Sequence, residues 1–278
     1  MEAAEGWGAR LGRLFDELGE AEWERLVKDP RSRVSLEIHR RFLRRHLAEG
    51  SDVLEIGAGA GRFTIELARM GCRVLVSDVS PVQLGLNERH VREAGGELAV
   101  TERRRLDVCD LSCVPDGSFD AVVAYGGPLS YAFDDAERSL AEMLRVVRPG
   151  GVVVASVMDL LGTLRCFLSA IPIYAGQGRL EVLEQVMATG DNRLDETGHP
   201  CRMFRWREIE DMVGQLAGQL RGASSSNFLS SGDQQVLAAI EQDAAQWKLF
   251  LDWEEECCRE PGALDSGTHL LFAVQAEG

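Results

Sequence analysis

Apolar and polar positions along the first half of the chain follow a repeating order. Residues 53–56, VLEI, have the apolar density of a buried strand, and a glycine-rich turn follows at residues 57–61. Apolar side chains then recur at helical spacing over residues 63–70, and a second β-rich run ends on Asp78. The pattern predicts a strand, a glycine turn, a helix, a strand and an acid, which is typical of the front half of a nucleotide-binding α/β sheet.

The remaining elements are predicted from the same periodicities. Two or three helices are expected in residues 1–50, and after Asp78 the alternation predicts helices at 81–94 and 136–147 and strands at 99–106, 119–124 and 152–157. The alternation then stops, and residues 158–202 read as a helical insertion with a polar loop at 189–200. The C-terminal third predicts a helix at 204–216, a strand at 223–229, a long helix at 233–259 and a last strand at 268–276.

Composition and charge limit the classes of partner. A net charge of −15 over 278 residues argues against a nucleic-acid partner, because proteins that bind a phosphate backbone usually carry a basic surface. The seven cysteines have no CxxC or Cys/His spacing, which predicts reduced thiols and no metal site. The acidic N-terminus lacks the apolar segment of a signal peptide, and Asp159, Arg165 and Pro172 interrupt the most apolar window. We therefore expect a cytoplasmic protein without a membrane span.

The glycine turn indicates which nucleotide is expected. A dinucleotide fingerprint has the spacing G-x-G-x-x-G, whereas here the glycines run G-x-G-x-G and Arg62 stands where the last glycine would be. Glu55 precedes the first glycine by two residues and would repel a pyrophosphate, but it would tolerate a ligand that carries positive charge. The pattern E-x-G-x-G-x-G, with an acid that ends the next strand, resembles the class I S-adenosylmethionine-dependent methyltransferases.

This resemblance implies a fold and a domain organisation. The family has a Rossmann-like seven-stranded sheet of order 3-2-1-4-5-7-6, in which the last strand is antiparallel. We expect that α/β fold here, with N-terminal helices and a helical insertion after the fifth strand. The chain then forms one domain, residues 1–278. It would comprise a helical cap (1–50), a cofactor-binding core (51–157), an acceptor lid (158–202) and the C-terminal part of the sheet (203–278).

The resemblance also implies a set of residues that bind S-adenosylmethionine. Asp78 stands where the family's acid accepts hydrogen bonds from both ribose hydroxyls, and Val79 would pack on the adenine. Asp107 stands where an acid accepts from the adenine amino group, although Asp110 competes with it for this role. The full set expected to bind the cofactor is Glu55, Gly57, Ala58, Gly59, Gly61, Asp78, Val79, Asp107, Val108, Tyr125 and Gly126.

Two residues are candidates for catalysis. Tyr131 follows the fourth strand, where an open α/β sheet places its chemistry, and it could orient an acceptor or simply pack under a loop. His199 lies at the end of the polar loop and could act as a general base or be an exposed side chain. The [Asn/Asp]-Pro-Pro-aromatic run of the DNA and protein amide methyltransferases is absent here, which argues against base or glutamine methylation.

These observations predict a methyltransferase that acts on an oxygen or nitrogen of a metabolite or natural product. One alternative is a protein that binds S-adenosylmethionine without transferring a methyl group, or that uses it in another reaction. A more remote alternative is an NAD-dependent oxidoreductase, because the first half of the sheet is shared. No motif in the sequence indicates the identity of the acceptor or the oligomeric state.

Overall fold

The computed structural model describes residues 7–193 and 199–278, and they form one sheet covered by helices on both faces. The sheet has seven strands in the order β3-β2-β1-β4-β5-β7-β6, which confirms the predicted order. The first five strands pair in parallel and β7 pairs antiparallel with both of its neighbours. The strands are β1 Asp52–Ile56, β2 Arg73–Asp78, β3 Val100–Arg105, β4 Phe119–Ala124, β5 Val147–Met158, β6 Gly218–Ser225 and β7 His269–Ala276.

Helices connect the strands and precede the sheet. The N-terminal segment contains α1 Trp7–Leu18, α2 Glu20–Arg25 and α3 Pro30–His46. The connections within the first half of the sheet are α4 Arg62–Arg69, α5 Pro81–Glu93, α6 Pro128–Tyr131 and α7 Ala136–Val146. The insertion after β5 contributes α8 Leu160–Cys166, α9 Ala170–Gly176 and α10 Leu180–Thr189, and the C-terminal part contributes α11 Trp206–Gly214, α12 Gln234–Glu241 and α13 Ala244–Cys258.

The core consists of two layers because the central strands are apolar on both faces. Leu54 and Ile56 of β1 face α7 and α11, whose buried residues include Met143 and Ile209. Val53 of β1 lies on the opposite face, in the apolar cluster that includes residues of α3 and α4. Parallel strands buried on both sides require such helical cover. Among the described residues, no helix is long and apolar enough to span a membrane.

Three predicted boundaries were wrong. The sixth strand was expected at 223–229 but is Gly218–Ser225, because its register is set by antiparallel pairing with β7. The long helix at 233–259 is two helices, since the Asp243 carboxylate caps a new N-terminus by accepting from the backbone N–H of Ala245 and Gln246 at 2.9 Å. The fifth strand begins at Val147 rather than at residue 152, because Val147 pairs with Phe119 of β4.

Candidate functional site

A cleft of about 660 Å³ opens at the carboxyl ends of β1, β2 and β4, on the side covered by α1 and α2. This is the topological switch point, since β1 pairs with β2 on one side and β4 on the other. The residues that line the cleft are Gly8, Leu11, Phe15, Glu22, Ile56, Gly57, Gly59, Asp78, Val79, Leu106, Asp107, Val108, Tyr125, Gly126, Pro128 and Tyr131.

The loop after β1 passes close to its neighbours because its glycines lack side chains. Gly57 has φ +66°, and a Cβ there would lie 2.7 Å from Cγ of Pro128. Gly61 has φ +100° at the N-cap of α4, where a Cβ would lie 3.1 Å from the side-chain amide nitrogen of Asn87. The first glycine therefore brings backbone to the cleft wall, whereas the last one packs the loop against α5.

Asp78 ends β2 and is fixed by two backbone donors. Its Oδ2 accepts a hydrogen bond from the N–H of Gly59 at 2.8 Å, and its Oδ1 accepts from the N–H of Ser80 at 2.9 Å. Burial raises the pKa of the carboxyl group to about 6, although these two hydrogen bonds act in the opposite direction. The carboxylate thus joins the glycine loop to the start of α5 while facing the cleft.

Asp107 and Val108, which follow β3, line the cleft beside α1. The Asp107 Oδ1 accepts from the N–H of Cys109 at 2.9 Å, and its Oδ2 lies so close to Gly8 that a Cβ there would be 2.1 Å away. Asp110 is not among the lining residues, and its carboxylate accepts from the backbone and hydroxyl of Ser112. Of the two acids that the sequence left in competition, Asp107 is the one at the cleft.

Three of the residues expected to bind the cofactor do not line the cleft. Glu55 is 2% exposed and accepts a hydrogen bond from the hydroxyl of Thr64 at 2.6 Å, and burial raises the pKa of its carboxyl group to about 8. Ala58 donates its N–H to the carbonyl of Ser77 at 2.9 Å, and Gly61 packs on α5. Because side chains alternate across a strand, Glu55 faces α4 rather than the cleft. The other eight members of the set, from Gly57 to Gly126, are cleft-lining residues.

Tyr131 and His199 meet at the wall of the cleft. The Tyr131 hydroxyl lies 2.5 Å from His199 Nε2, and the ring of Phe15 packs edge-on against both side chains at 5.4 and 5.6 Å. The contact forms because the N–H of Arg202 donates to the carbonyl of Ser130 at 2.7 Å, which pins the end of the insertion to α6. Two residues that are 68 positions apart in the chain are thus brought together.

Burial determines the protonation of this pair. It raises the pKa of the Tyr131 phenol well above 10 and lowers that of the His199 imidazole. At neutral pH both groups are therefore uncharged, and the phenol donates to Nε2 in the imidazole tautomer that carries its hydrogen on Nδ1. The rest of the predicted polar loop, residues 194–198, lies outside the described residues, as do residues 1–6 of the predicted cap.

Sequence reasoning missed four polar side chains near this pair. Glu22 lines the cleft and forms an ion pair with Arg25 of the same helix, with Nη2–Oε1 at 2.6 Å. His39 of α3 and His269 of β7 have ring centroids 5.8 Å apart. His39 was interpreted as structural, but residues 35, 36, 39, 42 and 43 form one buried helical stripe, so periodicity could have placed it inward. His269 had no such signal.

No group of three or more His, Cys, Asp or Glu residues that could hold a metal ion is found in the described ranges, 7–193 and 199–278. The chemistry at the cleft is instead that of three carboxylates, glycine-loop backbone, and a tyrosine hydrogen-bonded to a histidine.

Comparison with known proteins identifies the domain. Residues 53–151 match a family described as a methyltransferase domain. A segment of 166 residues, 59% of this chain, is 28% identical to the ubiquinone biosynthesis O-methyltransferase of Methylococcus capsulatus and spans 65% of that protein.

Solved structures show the same fold at low sequence identity. The [4+2]-cyclase SpnF superposes with a TM-score of 0.63 at 16% identity, covering 97% of both chains. The 1,6-didemethyltoxoflavin-N1-methyltransferase of Burkholderia thailandensis, solved with S-adenosylhomocysteine, superposes with a TM-score of 0.56 at 15% identity, covering 100% of this chain and 94% of the other. These findings show that residues 53–151 form a methyltransferase domain and that the chain has the fold of S-adenosylmethionine-dependent methyltransferases.

Proposed function

We propose that this protein transfers the methyl group of S-adenosylmethionine to an oxygen or nitrogen atom of a small molecule. The observation that carries the proposal is the hydrogen bond between Tyr131 and His199 at the wall of the cleft. When bound, the cofactor supplies a methyl group on a sulfonium whose sulfur keeps the bonding electron pair. The protein must then position a nucleophile and receive its proton.

The cleft-lining residues fit the parts of the cofactor. Asp78 would accept hydrogen bonds from the two ribose hydroxyls, since a carboxylate offers two acceptor oxygens. Asp107 would accept from the adenine amino group, with Val79 and Val108 packed on the ring. The other expected residues that line the cleft are Gly57, Gly59 and Gly126, next to Tyr125. At the three glycines the backbone would approach the ligand without a bulky side chain in between.

Tyr131 and His199 would act together as the base. In the Nδ1-protonated tautomer of His199 the phenol would donate to Nε2, which would leave the phenolic oxygen free to accept a hydrogen bond from the acceptor. As the acceptor loses its proton to the phenolic oxygen, the phenol passes its own proton to the imidazole. The imidazole is neutral at pH 7 because burial lowers its pKa, so it is ready to receive this proton.

The parts of the chain outside the core would enclose the acceptor. In this proposal residues 158–202 form a lid, supported by the packing of Leu160, Val186 and Met203 against Tyr131. Helices α1 and α2 close the cofactor side, where Phe15 and Glu22 line the cleft. The chain then works as a single domain.

Two observations support a small molecule, rather than a nucleic acid, as the acceptor. The net charge of −15 disfavours a nucleic acid. The relatives named above are described as an O-methyltransferase of ubiquinone biosynthesis and an N1-methyltransferase, which agrees with a small acceptor that offers oxygen or nitrogen.

A second candidate is use of the cofactor without methyl transfer. The structure of SpnF, a protein described as a cyclase, covers 97% of this chain with the same fold. In that case the cleft would still bind S-adenosylmethionine and S-adenosylhomocysteine. No added acceptor, however, would convert S-adenosylmethionine to S-adenosylhomocysteine.

The test has a binding step and a turnover step. Thermal unfolding with S-adenosylmethionine, S-adenosylhomocysteine and NAD should show stabilisation by the two sulfur nucleosides and none by NAD. A screen of small hydroxylated and amine compounds, read by S-adenosylhomocysteine release, should then find acceptors whose turnover is lost in Tyr131→Phe and His199→Gln. Asp110→Ala, outside the cleft, is the control. Binding without turnover over the whole screen would favour the second candidate.

A further inference from the structure

The insertion after β5 carries an apolar segment that the proposed function does not use. Residues 166–178 contain no charged side chain, and the residues on either side of them are Arg165 and Arg179. We call residues 167–178 the apolar knob. Its four large aliphatic and phenyl side chains are each more than half exposed: Phe167, Leu168, Ile171 and Ile173. Adjacent exposed side chains of this size mark a site of interaction with another surface.

The knob projects from the body of the protein rather than presenting one face to solvent. Its helix is α9, and none of the seven residues of α9, all of which the structure describes, is buried. Ile171 and Ile173 are two positions apart, which places their side chains about 200° apart around the helix axis. A flat protein surface would cover only one of these two sides, whereas a fluid apolar medium would surround both.

The rest of the insertion joins the knob to the wall of the cleft. Leu160 and Leu164 of α8 pack in the same apolar cluster as Tyr131, which lines the cleft. The chain then turns outward, where the N–H of Phe167 donates to the carbonyl of Thr163 at 2.9 Å. The insertion therefore has an inner side at the cleft and an outer side that carries the knob.

Three arginines lie at the base of the knob. Arg165 precedes it and donates to the backbone carbonyl of Ser266. The guanidinium of Arg179, which follows it, lies 5.9 Å from the centroid of the Tyr174 ring. Arg31 of α3 reaches the same place, with its Nη2 2.6 Å from the Sγ of Cys166. The base of the knob is thus positively charged.

The acids that are next in the chain do not cancel this charge at the two ends of the knob. Asp159 precedes Arg165 and is fully buried, and burial raises the pKa of its carboxyl group to about 8, so it is mostly uncharged at neutral pH. Glu181 and Glu184 lie beyond Arg179, on α10. The knob therefore has a positive charge at each end in a chain whose net charge is −15.

We propose that the apolar knob inserts into the surface of a phospholipid bilayer that contains anionic lipid, with the arginines at its base on the lipid phosphates. This contact goes beyond the proposed function and does not depend on it. A helix that spans a bilayer needs about 20 residues, so α9 enters only the interfacial layer. There its apolar side chains leave water, while the arginines extend their guanidinium groups to the headgroups.

Charge favours a bilayer over a second copy of the chain as the occupant. Most dimers have two-fold symmetry, so the knob would meet the knob of the other copy. That contact would bring Arg165 and Arg179 of both copies together, and like charges at an interface disfavour it. Lipid phosphates carry the opposite charge. Acidic groups more than about 8–10 Å from the contact are screened at physiological ionic strength, so the net charge of the chain does not prevent it.

Sedimentation with lipid vesicles measures the contact. The vesicles consist of phosphatidylcholine and phosphatidylglycerol in equal parts, and vesicles of phosphatidylcholine alone are the comparison. The whole chain, residues 1–278, should bind the mixed vesicles about tenfold or more tightly than the neutral ones, because each arginine near an anionic surface adds to the affinity. Added salt should reduce this difference.

Two pairs of variants separate the apolar contribution from the charge. Ile171→Ser combined with Ile173→Ser should weaken binding to the mixed vesicles about tenfold or more, whereas Leu98→Ser, fully exposed in the turn before β3, should not change it. Arg179→Gln should weaken binding to the mixed vesicles about fivefold and leave binding to the neutral ones unchanged. Arg92→Gln, exposed on α5, is its control and should bind as the wild-type protein does. This second pair tests the proposal without changing an apolar side chain.

The proposal is overturned if the protein does not bind the mixed vesicles, if it binds both kinds equally, or if either control loses as much affinity as its partner variant. Analytical ultracentrifugation without vesicles tests the other occupant. A dimer that the double isoleucine variant dissociates, in a protein that does not bind vesicles, would assign the knob to a second copy of the chain. Thermal unfolding of each variant at the wild-type midpoint, as expected for exposed side chains, shows that a loss of vesicle binding comes from the surface.

Discussion

Replacing Asp78 with alanine should separate cofactor binding from folding. The raised pKa of this buried carboxyl, about 6 against an ordinary 3.8, means that ionising it in the folded protein costs about 3 kcal/mol. Alanine removes that cost but leaves the N–H groups of Gly59 and Ser80 without their acceptor, at about 1–3 kcal/mol each. Because the two effects oppose each other, the free energy of unfolding without ligand should change by no more than about 3 kcal/mol.

The effect of Asp78→Ala on affinity should be larger. Two ribose hydroxyls that donate to a carboxylate contribute about 1.5–3 kcal/mol each, so their loss should weaken S-adenosylhomocysteine binding by about 150-fold or more. At a hundred times its dissociation constant the nucleoside stabilises the wild-type protein by about 2.7 kcal/mol. This corresponds to a rise of about 5–10 °C in the midpoint of thermal unfolding. At the same concentration the variant should gain less than about 2 °C.

The carboxylate also predicts a pH dependence. The ionised form is the better acceptor for the diol and prevails above the raised pKa of about 6, so affinity for S-adenosylhomocysteine should be full above pH 6 and should fall below it. Asp78→Asn cannot ionise and should bind weakly with no such dependence. Calorimetric titration at pH 5, 6, 7 and 8 measures this directly.

The matched control is Asp110→Ala, an acid of the neighbouring loop that does not line the cleft and whose carboxylate accepts from Ser112. It should bind S-adenosylhomocysteine as the wild-type protein does. An Asp78→Ala protein that remains folded and binds within tenfold of wild type would refute the ribose role, as would an equal loss in Asp110→Ala.

Three further substitutions test other parts of the site. Gly57→Ala should lower the free energy of unfolding by at least about 2 kcal/mol, because Gly57 has φ +66° and a Cβ there would lie 2.7 Å from a proline ring. Gly71→Ala is the control: Gly71 has φ +72° but no atom within 4 Å of the added Cβ, so this variant should lose less free energy of unfolding. Urea denaturation measures both. The pKa of Glu55, raised to about 8, gives a stability contribution that is complete below pH 4.5 and lost as pH rises through 8. The free energy of unfolding of Glu55→Gln should therefore rise by about 3 kcal/mol relative to that of the wild-type protein as the pH increases from 5 to 8. A difference between the two proteins that stays constant over this pH range would contradict the expectation. Tyr131→Phe should lower kcat by about a hundredfold or more while S-adenosylhomocysteine affinity stays the same, because it breaks the path to His199; an unchanged kcat would exclude the pair as the base.

Local pattern was sufficient for the sheet and for the cofactor side of the cleft. The strand order followed from the family resemblance, and the placement of Asp78, Val79, Asp107 and Val108 at the cleft follows from short-range signals, because strand ends in a parallel sheet meet at one edge whatever the helices do. The glycine turn was an equally local signal, because glycine adopts a positive φ without steric cost.

The predicted start of β6 was wrong because a long-range partner decides it. The start of β6 depends on its register against β7, and no residue of β6 specifies that register alone. Glu55 was expected at the cofactor from its position in the motif, and it is not among the residues that line the cleft. Alternation along β1 sends its side chain to Thr64, on the side of α4.

By itself, the sequence determined the class of fold, the edge of the sheet at which the cleft opens and two of the acids that face it, because each depends on residues near one another in the chain. Only the tertiary structure decided which side chains from distant segments meet around the cleft. Tyr131 meets His199, and His39 lies beside His269, through contacts between segments 68 and 230 positions apart. Such meetings depend on how an insertion and two helices pack over the strands, and packing is a property of the whole core rather than of any local pattern.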